Sequence, residues 1–336
     1  MDWNLVFENS IKGFVGINAV YFAVAALGLN VQFGYTGLLN FGQAGFMACG
    51  AYGLGMTSKY FDISMWWGIP LGILFSVGLG LLMGIPTLRL RADYLAIVTI
   101  ASAEIIRLIV RSVKFKVYFG GSDGINGFSD EFRSLGNKFG IEESSEYGLW
   151  PLRFTGRELW TLIVGWIVVA LLGYVVYKLM KSPWGRVLKA IREDEDAVKS
   201  LGKNVFSYKM QSLILGGVIG TISGMIFALD RASVQPDNYS RDVTFYILTA
   251  LVLGGVAKVS GSIVGPMIFW GLFTFMDNFL RQVAKDPINI GNFTIMNSTQ
   301  VGQFNFMLIG LTLILLMVYR PQGVFGNRQE MAFDGR

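Results

Sequence analysis

Residues 159–180 read LWTLIVGWIVVALLGYVVYKLM, and residues 181–209 follow as KSPWGRVLKAIREDEDAVKSLGKNVFSYK. The first stretch is apolar for long enough to cross about 30 Å of hydrocarbon, which takes a helix of roughly 20 residues. The second is crowded with Lys181, Arg186, Lys189, Arg192, Lys199, Lys203 and Lys209. An apolar span that runs straight into a basic connection marks a membrane helix emerging on the positive side. Working outward, comparable runs occupy Gly13–Leu29, Gly68–Leu88, Tyr94–Val110, Met210–Leu229, Ile263–Leu280 and Phe304–Tyr319. Two shorter glycine-rich runs, Gly42–Met56 and Phe245–Val256, fit short spans or re-entrant segments. The expected fold is all-α, a polytopic transmembrane helical bundle of about eight or nine membrane segments, some short or re-entrant.

Composition points the same way. Of 336 residues, 53% are hydrophobic and 15% charged, against about 25% charged in soluble domains. Mean hydropathy is +0.50. Arg89 and Arg91 follow the Gly68–Leu88 run, and Arg320 and Arg328 follow the last run. Alternating crossings put these and the 181–209 cluster on one side, which the positive-inside rule makes cytoplasmic. The polar stretch 115–157 then faces outward. Arg111, Lys114 and Lys116 sit at the outer end of a span, against that rule, but long loops translocate largely regardless of charge. The net charge of +5 is accounted for by membrane orientation, and no nucleic acid partner is expected.

There is no histidine, and the single cysteine is Cys49. That excludes His-based acid–base chemistry, His-containing zinc sites, catalytic triads and any internal disulfide; neither a catalytic residue nor a metal site is expected. Cys49, within Ala48–Ala51, fits a small packing residue. No G-x-x-x-x-G-K-[ST] loop occurs, since the nearest candidate, Gly254–Ser262, lacks the Gly-Lys-Ser/Thr ending. Asp2 and Glu8 precede the first apolar run, which reads as a retained span and not a cleaved signal.

In the 181–209 connection, Val187, Leu188, Ile191, Val198 and Leu201 recur at helical spacing, with Arg192, Glu193, Asp194, Glu195, Asp196 and Lys199 on the other face. Pro183 ends the preceding helix and Gly202 supplies a stop. A short amphipathic helix follows, with one face free to dock on a partner or to lie on lipid headgroups. The acidic run Glu193–Asp196 disfavours anionic lipid. Glycines (42 in all) fall at small-xxx-small spacing, as in Gly216, Gly220 and Gly224, where close helix packing is the main expectation. Asn18, Asn30, Gln32, Asn40 and Gln43 are polar groups in or beside the first spans. Asn40 and Gln43 sit at a broken segment where free backbone could meet a zwitterion. Glu104 and Arg107, at i, i+3, fit either a structural ion pair or a pore-lining role. Gly120, Gly121, Ser122 and Asp123 fit either a tight turn or a contact for a docked binding protein.

The segment Asp196-Ala197-Val198-Lys199-Ser200-Leu201-Gly202 resembles the EAA-x-x-x-G coupling motif of ABC importer permeases, with Asp for Glu and Val for the second Ala. The wider string SPWGRVLKAIREDEDAVKSLGKN is similar to the LivM-type permeases of branched-chain amino acid ABC transporters. So are GLNVQFGYTGLLNFGQAGFMACGAY, GGSDGINGF, LVLGGVAKVSGSIVGP and YRPQGVFG, in the family's order over most of the chain.

The resemblance implies that 1–336 is a single permease domain in a bacterial or archaeal plasma membrane, multi-pass, with outer loop 115–157 and a cytoplasmic coupling-helix loop 181–209. Arg186, Arg192, Glu193, Asp194, Glu195, Asp196, Ala197 and Gly202 would meet an ATPase subunit. The implied partners are a second homologous permease (LivH-like), two ATPase subunits, a solute-binding protein and the lipid bilayer. ATP and Mg would belong to the partner subunits, with no cofactor on this chain. Leucine, isoleucine or valine is the implied cargo. A urea or short-chain amide permease shares the architecture. An ion-driven secondary transporter or an intramembrane enzyme fits less well, because buried carboxylates are scarce.

Overall fold

A computed structural model describes residues 3–61, 63–88, 92–148, 151–283, 288–290, 293–296, 301–319 and 323–326. Asp2, Arg89, Arg91, Arg320 and Arg328 lie outside the described residues. The fold is all-α. Helix α1 (Trp3–Val15) leads into α2 (Ile17–Leu29), and α3 (Gln43–Tyr60) is followed by α4 (Gly68–Thr87) and α5 (Ala92–Arg111). Short α6 (Lys116–Phe119) and α7 (Asp130–Lys138) precede the long α8 (Gly156–Lys181). Then come α9 (Pro183–Glu193), α10 (Glu195–Ser200), α11 (Val205–Arg231), α12 (Arg241–Gly254), α13 (Val259–Val283) and α14 (Val301–Tyr319). Among the described residues the strands form only two-stranded antiparallel pairs, such as Ile125–Asn126 with Ser233–Val234.

Five helical stretches among the described residues are long and apolar enough to cross a bilayer: Val6–Tyr35, Met65–Thr87, Gly156–Lys181, Val205–Arg231 and Val259–Val283. Helix α5 is comparable in length but carries Glu104, Arg107 and Arg111. The expected run Gly13–Leu29 is not one helix. It divides at Gly16 (φ −67°, ψ 175°), and α1 lies along α13, with Asn9 Nδ2 donating to Asn278 Oδ1 at 3.3 Å. The glycine-rich run expected as a short span is α3, and every residue from Gln43 to Thr57 is buried. Its surroundings are protein on all sides, which removes any need for a lipid-facing apolar surface.

The core is built on α11, which packs against α2, α3 and α4. Glycine makes this possible, because small residues let backbones approach where no hydrophobic effect drives helices together in lipid. A Cβ on Gly216 would lie 2.5 Å from the carbonyl oxygen of Gly28, and one on Gly53 would lie 2.7 Å from the Cα of Gly72. Cys49 is buried in a small cluster with Phe46, Leu79 and Met83.

The described residues of 115–157 include α6, α7 and a two-stranded pair, Glu146–Tyr147 with Phe154–Thr155. Trp160 holds α7 down. Its indole N–H donates to the Phe132 carbonyl at 3.0 Å and its ring stacks on Phe139.

Candidate functional site

Helix α2 does not stop at Leu29 but widens into a π-helical turn, Asn30–Tyr35, a rare form that concentrates at functional sites. Two breaks in the bundle hang on it. The first is the non-helical stretch 37–42 ahead of α3, and the second is 255–258 between α12 and α13. Backbone polar groups freed inside a membrane protein need substitute partners, and the π turn supplies them on both sides.

Asn30 serves the second break, donating to Lys258 O at 3.1 Å and accepting from Ala257 N at 2.9 Å. Ala257 has φ 60°, a left-handed conformation that costs a residue with a Cβ roughly 1–2 kcal/mol. The Asn30 amide holds it there. Leu253 O and Gly254 O accept from Val324 N and Phe325 N at 2.9 and 3.0 Å. Gln32 serves the first break, donating to Leu213 O on α11 at 2.8 Å while its own oxygen accepts from Asn40 Nδ2 at 2.8 Å.

Asn40 and Gln43 are thus sealed inside the fold, 2% and 0% exposed. Asn40 Oδ1 accepts from Gly42 N at 2.8 Å, and Gln43 Nε2 donates to Gly216 O at 3.2 Å. Two threonines that the sequence pattern did not single out complete the bracing. Thr99 Oγ1 accepts from Phe41 N at 3.1 Å, and Thr244 Oγ1 accepts from Ala44 N at 2.9 Å. Their only signal is a hydroxyl within an apolar run.

The amphipathic segment is two helices, not the continuous one expected. Asp194 (φ −152°, ψ 104°) interrupts it, and its Oδ1 accepts from Asp196 N and Ala197 N, both at 2.9 Å, to cap α10. A short Asp side chain competes with helical hydrogen bonding and favours a cap over a helix interior. The apolar face is not free either. Leu188, Ile191 and Val198 are buried, the last two together with Val205 of α11. What faces outward is mainly charged: Arg186, Glu193, Asp194, Asp196 and Lys199 are exposed, as are Ala197 and Leu201, the last departing from the expected apolar face because it lies past the end of α10. Gly202 closes α10 at φ 74° with open space around it.

Helix α9 also grips the π turn. Arg192 Nη1 donates to the Gly34 carbonyl, and Lys189 Nζ lies 5.6 Å from the Tyr35 ring centre. Glu195 is bound by Lys209 and Lys199. Burial pushes its carboxyl up, but the hydrogen bonds and charges of those lysines outweigh that and hold it below its ordinary value. A cleft of about 240 Å³ runs between Gly37, Leu38, Leu95, Arg192, Glu195 and Lys209.

At the opposite end of the bundle, Arg107 donates to both oxygens of Glu104, at 2.6 and 3.0 Å, and to Asp237 at 2.6 Å. Arg111 shares Asp237 at 3.1 Å. Neighbouring Tyr239 and, on α3, Tyr52 bury hydroxyls that find no partner among the described residues. The Gly120–Asp123 turn lies at this end too. Gly120 and Gly121 take φ 77° and 63°, while Ser122 and Asp123 are exposed. Lys116 hydrogen-bonds Asp123 at 2.7 Å and holds its carboxyl below the usual range. The structure brings Asn40 together with Gln43, and Glu104 with Arg107, but keeps these two pairs and the α9–α10 segment as separate places.

Irregular backbone at the centre of an apolar bundle, satisfied by buried amides and hydroxyls, belongs to membrane proteins that move solutes. The class is that of a membrane permease. Residues 14–320 match the family described as "Branched-chain amino acid transport system / permease component", and the chain belongs to that family. It is 28% identical over 309 residues to the high-affinity branched-chain amino acid transport system permease protein LivM of Salmonella typhimurium, covering 90% of this chain and 67% of that protein. The LivM protein of Escherichia coli is 27% identical, covering 96% and 71%. A probable LivM of Methanocaldococcus jannaschii is 25% identical, covering 91% and 90%. The resemblance to LivM-type permeases drawn from the motifs is borne out by these matches.

Proposed function

We propose that this chain is the permease subunit through which branched-chain amino acids enter the cell, in an ABC importer driven by separate ATPases. The observation that carries the coupling role is the α9–α10 hairpin. Ile191 and Val198 are anchored against α11 while Arg186, Glu193, Asp196 and Lys199 face outward with Leu201. A rigid mount with a charged outer face suits docking in a cleft of an ATPase subunit. Arg192, Asp194, Glu195, Ala197 and Gly202 shape that hairpin. The cargo reading is supported by the relatives, which are branched-chain amino acid permeases and whose matches span nine-tenths of this chain.

A second homologous permease completes the path, two ATPases hold ATP and Mg, and a solute-binding protein delivers cargo outside, across a bacterial or archaeal plasma membrane. Glu104 and Arg107 lie on the path, where paired charges and the unused hydroxyls of Tyr52 and Tyr239 suit a zwitterion. Asn40 and Gln43 brace the broken segment beside it. Gly120, Gly121, Ser122 and Asp123 contact the binding protein.

The test is leucine uptake into proteoliposomes holding this chain, its partner permease and the ATPases, with binding protein outside. Uptake that requires ATP and is lost in Asp196→Lys and Gly202→Trp supports the proposal. ATP-driven uptake of urea without leucine would move the cargo to amides, and uptake on an ion gradient without ATPases would sink the ABC assignment.

A further inference from the structure

We infer that the π turn Asn30–Tyr35 and helix α9 move as one body, and that Asn30 and Gln32 are positioning residues carrying that motion to both broken segments. This rests on the coupling role proposed above and adds where the motion goes. Every link is a contact in the fold. On the α9 side, Arg192 bonds the Gly34 carbonyl and Lys189 covers the Tyr35 ring. Gly37, just after the turn, lies against Arg192, where a Cβ built on it comes 3.7 Å from the Arg192 Cβ. On the far side, Asn30 holds Ala257 N and Lys258 O, while Gln32 holds Asn40 and the α11 carbonyl of Leu213.

A displacement of α9 therefore cannot leave the turn behind, and the turn cannot move without pulling on both breaks. The first break also meets α9 directly where Gly37 lies against Arg192, and the second is reached through Asn30. Two packed elements joined by hydrogen bonds, part-buried at Arg192 and Asn30 and buried at Gln32, make a discrete, bistable connection, which is what a coupling between distant sites requires. The hydrogen bonds from Asn30 also keep Ala257 in its left-handed conformation. Loss of the amide would let that break relax on its own and disconnect it from α9.

The chain offers two independent ways to cut the link inside the bundle, away from the ATPase-facing surface. Asn30→Ala removes the amide. Gly34→Ala evicts it, because a methyl there would overlap Asn30 Oδ1. In the full reconstituted complex, both should keep the ATPases bound and turning over while leucine uptake per ATP falls by roughly tenfold, the size of an ordinary coupling free energy.

The complementary arm joins the two parts covalently. Gly37→Cys with Arg192→Cys removes the Arg192–Gly34 bond, so uptake per ATP should be low in the reduced protein and recover on oxidation to the disulfide, which rejoins the two parts. Wild-type uptake per ATP in both Asn30→Ala and Gly34→Ala would overturn the inference. So would arrest of transport by the disulfide with recovery on reduction, which would show α9 sliding against the turn. Either result could arise with ATP-driven uptake by the unaltered complex intact, so failure here is distinct from failure of the transport assignment.

Discussion

A methyl group built on Gly220 would overlap the side-chain amide of Gln43, and one on Gly224 would overlap the carbonyl of Met47. Both glycines lie on α11 where it presses against α3, so neither neighbour has room to withdraw. Gly78 of α4 has the opposite setting, with nothing within 4 Å of its Cβ position. Gly224→Ala should therefore destabilise the protein by about 1–3 kcal/mol through overpacking. Gly78→Ala should stabilise it by roughly 0.5–1 kcal/mol, because alanine loses less backbone freedom in a helix. Thermal unfolding of the purified variants in one detergent checks both signs. Equal melting temperatures would remove the claim that α11 is packed to the limit on that face. Small-xxx-small spacing made this packing legible in advance at Gly216, Gly220 and Gly224, since a helix face is a local property of sequence. The partner of each glycine was not legible, because Gln43 and Met47 arrive from far along the chain.

At the scale of elements, the joint between α9 and α10 rests on Asp194 and on the Glu195–Lys209 pair. Glu195 has its carboxyl held below the ordinary value, so the folded state binds its proton less readily than the unfolded chain does. The stability it contributes is present above the ordinary glutamate value and is lost as the pH falls through the lower folded value. Acidification through that window should loosen α10 from α11, and Glu195→Gln should make the loosening independent of pH there. A spin label at exposed Ser200 reads this directly. Mobility that rises on acidification in the parent and not in Glu195→Gln is expected, and parallel curves would remove Glu195 as the cause. Asp194→Ala should cost α10 about 1 kcal/mol by loss of its cap, seen as higher mobility of the same label at neutral pH. Apolar spacing at Val187, Leu188, Ile191 and Val198 announced an amphipathic segment here, and Leu188, Ile191 and Val198 are buried as that spacing requires. It could not announce that the apolar face turns inward, because Val205 and Tyr208, which cover it, follow in the next helix. The π turn was hidden for a similar reason. Asn30 and Gln32 stood out as polar groups, but their hydrogen-bond partners lie 228 and 181 residues away.

Across the whole molecule, the α9–α10 segment and the Glu104–Arg107–Asp237 cluster stand at opposite ends of the bundle, with both breaks between them. The cluster is the one place where a structural account and a transport account predict different things. Arg107 binds Glu104 within α5 but also reaches Asp237, 130 residues on, so the pair already does part of the work of tying α5 to the turn before α12. Glu104→Gln separates the two accounts. It keeps the side chain's size and an oxygen for Arg107 while removing the charge, and Asp237 still holds the guanidinium. The Glu104 side chain is 32% exposed, and partly exposed pairs contribute only about 0–1 kcal/mol. The melting temperature should therefore barely move. If Glu104 meets the ammonium group of a zwitterion on its way through, ATP-driven leucine uptake should fall by roughly tenfold, because a charge-assisted hydrogen bond is lost from a low-dielectric path. Uptake per folded complex equal to that of the parent, with or without a drop in melting temperature, would make the pair a structural tie and move the polar part of the path elsewhere.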